Sequence, residues 1–383
     1  MHETEATTEA RRQMEICNAC RYCEGYCAVF PAMAMRREFS TGDLTHLANL
    51  CHGCKGCYHA CQYAPPHPFG VNVPETFATI RGESYAQYAW PLAMGRLFER
   101  NGTVVMLVTA VVVTLVLLLT VALQDPAILF AAQTGTGTFF RIIPGWLITG
   151  MVVLSVGYAA FAMTMGALRY WRGTAPGAGQ APITPGPVAT AAVDILTLRN
   201  LGGGGHGCND LDDSFSQTRR WLHHAVFYGF MLAMAGHGLS AFYHYALGWE
   251  PPHAFFSLPK QLGVWGGVLL VIGAVGLIRV KIVTDPVPVA KKLLGSEYAL
   301  LALLLLTASL GLLLHGLRGT GAMGVLLALH LGFVLAFFLL MPYSKMVHGV
   351  YRGLALLRNA QEKRRAAKPA ATKPAAKPAG AAA

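Results

Sequence analysis

Charge is what this 383-residue chain has least of. Only 13% of its residues are Asp, Glu, Lys or Arg, where soluble domains carry about 25%. That shortage excludes an ordinary soluble globular protein, and the 54% hydrophobic content points to a membrane protein. The formal charge of +11 does not indicate a nucleic-acid binder. Its positive residues lie in short segments between apolar runs and in the tail from Lys363 to Lys377, as loop charge at a membrane does. The polar, acidic N-terminus has no apolar signal-peptide core, so the segment after it is expected to stay in a reducing cytoplasm. No GxGxxG stands on a strand–helix turn, so nothing in the chain reads as a flavin site. No internal repeat is visible beyond one doubled cysteine run.

That run is the most specific feature present. Eight of the nine cysteines lie between Cys17 and Cys61. They form Cys17-x2-Cys20-x2-Cys23-x3-Cys27 and Cys51-x2-Cys54-x2-Cys57-x3-Cys61, the spacing that holds [4Fe–4S] clusters. In such doubled runs the fourth cysteine often ligates the other cluster. One cluster is therefore expected on Cys17, Cys20, Cys23 and Cys61, the other on Cys51, Cys54, Cys57 and Cys27. Zinc takes pairs of CxxC, and a third regularly spaced cysteine in each run exceeds its needs. The proline that often follows the fourth cysteine is absent, with Ala28 and Gln62 in its place. The stretch between the runs reads as helical, with Ser40, Thr41 or Asp43 starting a helix that leads into Cys51.

Six apolar runs follow, none containing Asp, Glu, Lys or Arg: Thr103–Leu123, Ile142–Leu168, Trp221–Trp249, Gln261–Ile278, Tyr298–Leu317 and Gly319–Tyr343. Most approach or exceed the ~20 residues that cross a bilayer. One set of flanks holds most of the Lys and Arg, from Arg96 to Arg352. The alternate set holds Arg141, Lys260 and Arg318. Six spans with both termini cytoplasmic satisfy that bias.

The expected fold is all-α, a helical ferredoxin-like two-cluster domain followed by a six-helix transmembrane bundle. The divisions are 1–100 for the cysteine domain, 101–170 for a first helix pair, and 171–220 for a cytoplasmic Gly/Pro-rich loop. Residues 221–352 form a four-helix haem-binding region and 353–383 a disordered basic tail. Within the loop, His206 and Cys208 suit either a metal or a glycine-rich docking loop, the latter being favoured.

Histidine inside a membrane needs a reason. The third span carries His223, His224, His237 and His244, and the sixth carries His330 and leads to His348. Two neutral imidazoles facing each other from different helices bind haem iron axially. On one continuous helix, His330 and His348 would face the same way, ~27 Å apart along the axis. One b-type haem is then expected between His348 and His223 or His224. A second would join His330 to His237 or His244. His253 and His315 are expected at the outer surface, where either suits a quinone site.

The segment from His330 to His348 resembles the haem-binding last helix of the γ subunit of respiratory nitrate reductases. Ala235-Gly236-His237 is similar to the matching site on their other ligand helix. The chain departs from them at residue 227, where Phe227 stands in place of a histidine. Over residues 15–355 the chain resembles the B-protein family of tricarballylate and citrate utilisation. The shared stretches include both cysteine runs, the segment after Cys61, the loop Leu201–Cys208, Arg219–His224, Phe242–Tyr245 and the segment ending at His348. That resemblance implies an electron-transfer subunit in a bacterial inner membrane. It would reoxidise the FADH2 of a soluble tricarballylate dehydrogenase and pass electrons through two [4Fe–4S] clusters and one or two b haems to quinone. Two alternatives stay open: quinol oxidation feeding a cytoplasmic reductase, and a non-redox scaffold with a zinc-bound domain.

Overall fold

The structure is a computed structural model that describes residues 3–98, 100–174 and 182–367. Among them every named element is a helix. The β pairing is an isolated bridge between Cys208 and Ser216.

The N-terminal domain is built from α1 (Glu5–Cys20), α2 (Val29–Ala34), α3 (Thr41–Leu50), α4 (Gly56–His59) and α5 (Val73–Tyr88). Sequence-encoded caps set their starts. Thr4 and Thr7 form a reciprocal capping box on α1, and Ser40 and Asp43 form one on α3. Asn72 accepts from the backbone of Glu75 to begin α5. Each cap satisfies N–H groups that the first turn leaves unpaired. Met14, Met33, Leu44, Leu47, Phe77 and Ile80 are fully enclosed between these helices. Each such side chain contributes roughly 1.5–3 kcal/mol, enough to hold the cysteine loops on a fixed frame.

Among the described residues, six helices are long and apolar enough to cross a membrane. They are α6 (Asn101–Leu123), α9 (Gly145–Gly173), α11 (Thr218–Leu247), α12 (Leu258–Val283), α13 (Leu294–Leu317) and α14 (Met323–Leu340). The short α7 (Pro126–Leu129) and α8 (Thr138–Ile142) connect the first two. The pair α11 and α12 packs through small residues, as apolar helices in lipid must when no hydrophobic force joins them. A Cβ on Gly229, Gly236 or Gly266 would meet backbone of the opposite helix at 2.6–2.9 Å.

The cysteine domain sits against one end of this bundle. Lys55 donates to Thr284 Oγ1 (2.5 Å) and Arg169 to the Ala89 carbonyl (2.6 Å). The Asn101 side chain donates to the Tyr343 carbonyl.

Three expectations are corrected. The sixth span and His348 do not share one helix. Pro342 has no N–H to give, and its ring crowds the carbonyl four residues back. Ser344 is extended, with φ −115° and ψ 174°. A new helix, α15 (His348–Ala366), then starts at His348 itself. The expected tail boundary at 353 also moves. Tyr351, Ala355, Leu356, Arg358 and Asn359 are buried, because this helix packs under the cysteine domain. Of the expected tail, residues 368–383 lie outside the described residues. Finally, the loop 171–220 holds α10 (Pro185–Leu196), which packs on α15. Part of the expected linker, 175–181, lies outside the described residues.

Candidate redox site

The first cysteine run begins at the end of α1. Arg21 closes that helix in the left-handed region (φ 55°), its N–H bonded to the Cys17 carbonyl. The chain thus turns back past Cys20 toward Cys23. In the second run Cys51 caps α3 in an extended conformation. Gly53 and Lys55 take positive φ of 63° and 65°, and so wrap Cys54 and Cys57 around one point. Gly53 supplies this turn at no steric cost.

The thiols form two electrostatic groups. Burial pushes Cys17 up to about 12, and Cys61, Cys23 and Cys20 add to it. Cys23, also raised to about 12 by burial first, feels Cys61 and Cys20, then Cys54. Burial lifts Cys27 well above the ordinary thiol value, with Cys54 and Cys51 adding. Burial does the same to Cys57, whose neighbours are Cys54, Cys27, Cys51 and then Cys23. The sets are thus Cys17, Cys20, Cys23, Cys61 and Cys27, Cys51, Cys54, Cys57, and they adjoin. Cys27, Cys51, Cys54 and Cys57 also line one pocket, walled by Val29, Phe30, Val73 and Pro74.

Among the described residues, no three His, Cys, Asp or Glu side chains meet closely enough to grip a single metal ion. The thiolates of a cubane stand on separate iron corners, farther apart than the ligands of one ion. The donor chemistry fits such a cluster. Cys17, Cys23, Cys27, Cys54 and Cys57 resist ionisation on their own, and a cationic core between such thiols would remove that cost.

Residues from other elements hold the second run. Arg352 donates to the Cys51 carbonyl (3.0 Å), as does Arg81 (3.1 Å). Arg219 donates to the carbonyls of Gly53 (2.5 Å) and His52 (3.1 Å). The glycine-rich loop closes over Cys54. Asn209 N–H donates to the Cys54 carbonyl (2.9 Å), and a Cβ on Gly203 would lie 3.6 Å from Cys54 Sγ. Cys208 is buried and its thiol donates to the Leu201 carbonyl (3.0 Å). His206 instead packs on Phe215. Sequence reasoning counted Arg219 and Arg352 only as loop charge and passed over His52. The signal for His52 was its place inside the Cys51–Cys54 turn.

The histidines form two pairs in the bundle. His223 on α11 faces His348 at the start of α15, with ring centroids 6.2 Å apart and planes at 86°. His237 faces His330, at 6.4 Å and 25°. A metal–nitrogen bond of about 2 Å on either side, plus about 1 Å from nitrogen to ring centre, sets two axial imidazoles about 6 Å apart. Both pairs fit that span. Nδ1 of His348 bonds to the Lys345 carbonyl (2.5 Å), Nδ1 of His237 to Ala233 (2.7 Å) and Nδ1 of His330 to Thr307 (3.1 Å). A bond of this kind fixes the tautomer and leaves Nε2 free as a ligand. Burial, then Arg352, holds His348 well below the ordinary histidine value, so its imidazole is neutral. The other two candidates lie elsewhere. His224 stacks on Tyr228, and His244 packs against Phe140 and Tyr245.

A cysteine domain packed on a bundle of six membrane-length helices, with paired histidines inside, defines a membrane protein of the ferredoxin-plus-bundle class. The comparisons name the family. Residues 10–87 match the Citrate utilization protein B Fer4-like domain, and residues 96–370 match Citrate utilization protein B. Citrate utilization protein B of Escherichia coli is 43% identical over 367 residues, covering 94% of each chain. The chain belongs to the Citrate utilization protein B family. No solved structure matches it significantly.

Proposed function

We propose that this protein carries electrons from a soluble partner into the membrane. The partner is a FAD-dependent dehydrogenase acting on tricarballylate, citrate or a related tricarboxylate. Its reduced flavin gives up electrons singly to two [4Fe–4S] clusters, on Cys17, Cys20, Cys23, Cys61 and on Cys27, Cys51, Cys54, Cys57. From there they pass to b-type haems held by His223 with His348 and by His237 with His330, and finally to quinone. Clusters and haems of this kind supply one-electron chemistry when bound. The chain's own residues set distance, burial and orientation.

The observation that carries this reading is alignment. The turn holding Cys51 and Cys54 is tied to one histidine pair: Arg219, four residues before His223, donates to the His52 and Gly53 carbonyls, and Arg352, four residues after His348, donates to the Cys51 carbonyl. The second pair lies 14 residues further along α11, about 21 Å along the axis. Family membership supports the tricarboxylate context and the Fer4-like domain supports the clusters.

The test is the visible spectrum and metal content of detergent-purified full-length protein. About eight non-haem irons with two b haems per chain are expected, together with quinone-dependent reoxidation. Zinc in place of iron would reject the reading.

A further inference from the structure

The end of the bundle away from the cysteine domain holds a second group of polar side chains. The His237/His330 pair is flanked there by two segments. Gly311 of α13 touches His330, since a Cβ on it would lie 2.9 Å from the ring. His315 is four residues on, hence on the same face of that helix, about 6 Å nearer the far end. The loop after α11 reaches back over the pair. His253 Nε2 bonds Ser240 Oγ at 2.9 Å, and Ser240 is one turn beyond His237. Phe255 of the same loop stacks on His315, with centroids 5.8 Å apart and planes at 13°.

Among the described residues, this group leaves polar atoms without hydrogen-bond partners and has cations as its charged neighbours. Lys260 and Arg318 are the charged neighbours of His315. The nearby carboxylate of Glu250 turns toward Gly137. Among the described residues, His315 Nδ1 and Arg318 Nη1 are buried with no hydrogen-bond partner. A buried N–H without an acceptor costs about 1–3 kcal/mol, so such a site favours a ligand that brings acceptor oxygens.

We infer that His315, Phe255, Lys260 and Arg318 form the quinone-binding site, at the far end of the bundle beside His237 and His330. This rests on the electron-transfer reading above. A quinone suits the group on each count: a flat ring for the Phe255 face, carbonyl oxygens for the His315 and Arg318 N–H groups, and cations for the charge gained on reduction. Each quinone takes two electrons, delivered singly and supplied by the partner's reduced flavin. It takes two protons from the aqueous phase at that end. Both carbonyls become hydroxyls, and the quinol leaves.

The experiment uses full-length protein in liposomes, reduced with dithionite and freed of excess reagent. It is mixed with decylubiquinone, and the b-haem band is followed as it reoxidises. His315→Leu, His315→Asn and Phe255→Ala should each raise the half-saturating decylubiquinone concentration by about 3- to 10-fold, the worth of one lost contact. The spectrum and both haems should be retained, which also shows that the variants fold. Values within twofold of the native protein, with haem retained, overturn the site. Loss of one haem in His315→Leu and Lys260→Gln overturns it too, because the cations then serve the haem carboxylates. Native protein that lacks haem, or that decylubiquinone does not reoxidise, overturns the electron-transfer reading itself, and this site with it.

Discussion

Gly311 offers the most direct test of the far histidine pair. A methyl group there would lie 2.9 Å from His330 Cε1, inside any ordinary carbon contact. Gly316, on the same helix, is the control, since a methyl group there meets nothing within 4 Å. Both substitutions gain up to about 1 kcal/mol of helix propensity over glycine. Gly311→Ala alone adds overpacking, which costs about 1–3 kcal/mol. Gly316→Ala should thus be neutral or slightly stabilising, and Gly311→Ala between neutral and about 2 kcal/mol destabilising. The ring must move toward His237 or tilt, so its haem should change selectively. The assay is low-temperature electron paramagnetic resonance with thermal loss of the Soret band. Gly311→Ala should shift one low-spin ferric signal and leave the other. Two unmoved signals, or equal change in both variants, would refute the assignment of His330 as a ligand.

Other outcomes follow from the same geometry. The two ferric haems should give distinct signals, rhombic from the pair at 25° and strongly anisotropic from the pair at 86°, because ring orientation sets the splitting of the iron orbitals. A single signal type would count against one pair. Cys20→Ser and Cys57→Ser should each remove one cluster, lowering non-haem iron by about half, and iron analysis decides it. Arg36 holds Glu362 of α15 through two bonds, at 2.8 and 3.0 Å, and Asp43 at 2.8 Å. Arg36→Gln should cost about 2–3 kcal/mol and lower the temperature of cluster loss. His46 is buried without a hydrogen bond, and burial, then Arg36 and Arg358, holds it well below the ordinary histidine value. The unfolded chain therefore binds a proton that the folded one refuses. The stability this confers is complete above about pH 6.5 and declines as pH falls below it. His46→Leu should flatten that part of the stability–pH curve relative to the native protein.

The helical class and the six long apolar helices were legible in the sequence because each has a local cause. Apolar length marks a span wherever it occurs, and Ser40 with Asp43 announces a helix start whatever surrounds it. The histidine partners were not legible to the same degree. Spacing left His223 against His224 and His237 against His244. The choice depends on which ring faces α14 or the start of α15, a tertiary property. The helix α10 was hidden by Pro185 and Pro187, read as linker although Pro at a first turn is a helix signal. Arg352 looked like surface charge because its acceptor, the Cys51 carbonyl, lies 301 residues away.

On the proposed electron path, the break at Pro342–Ser344 lets one helix reach both the second cysteine turn and the first histidine pair. A straight continuation of α14 would have kept His348 in mid-helix on the α14 axis. Restarting at His348 aims α15 beneath α3 instead. The offsets of four and seven residues then place His348, Arg352 and Ala355 on one face. His348 faces His223, Arg352 holds the Cys51 carbonyl, and Ala355 is sealed in the core beneath the cysteine domain. Beside them Tyr351 stacks on Tyr170 of α9 at 5.0 Å and 16°. The spacing between the second cysteine run and the first histidine pair is therefore fixed by a single turn of rigid helix. A flexible link between two domains would let that distance vary, and electron hopping falls steeply with distance. Arg352→Ala should thus slow transfer between these centres while leaving cluster and haem content intact. Arg352→Lys, which keeps one donor, should restore part of the rate in flash-reduction kinetics. Equal rates in all three proteins would show that the strap from α15 to Cys51 plays no part in electron transfer.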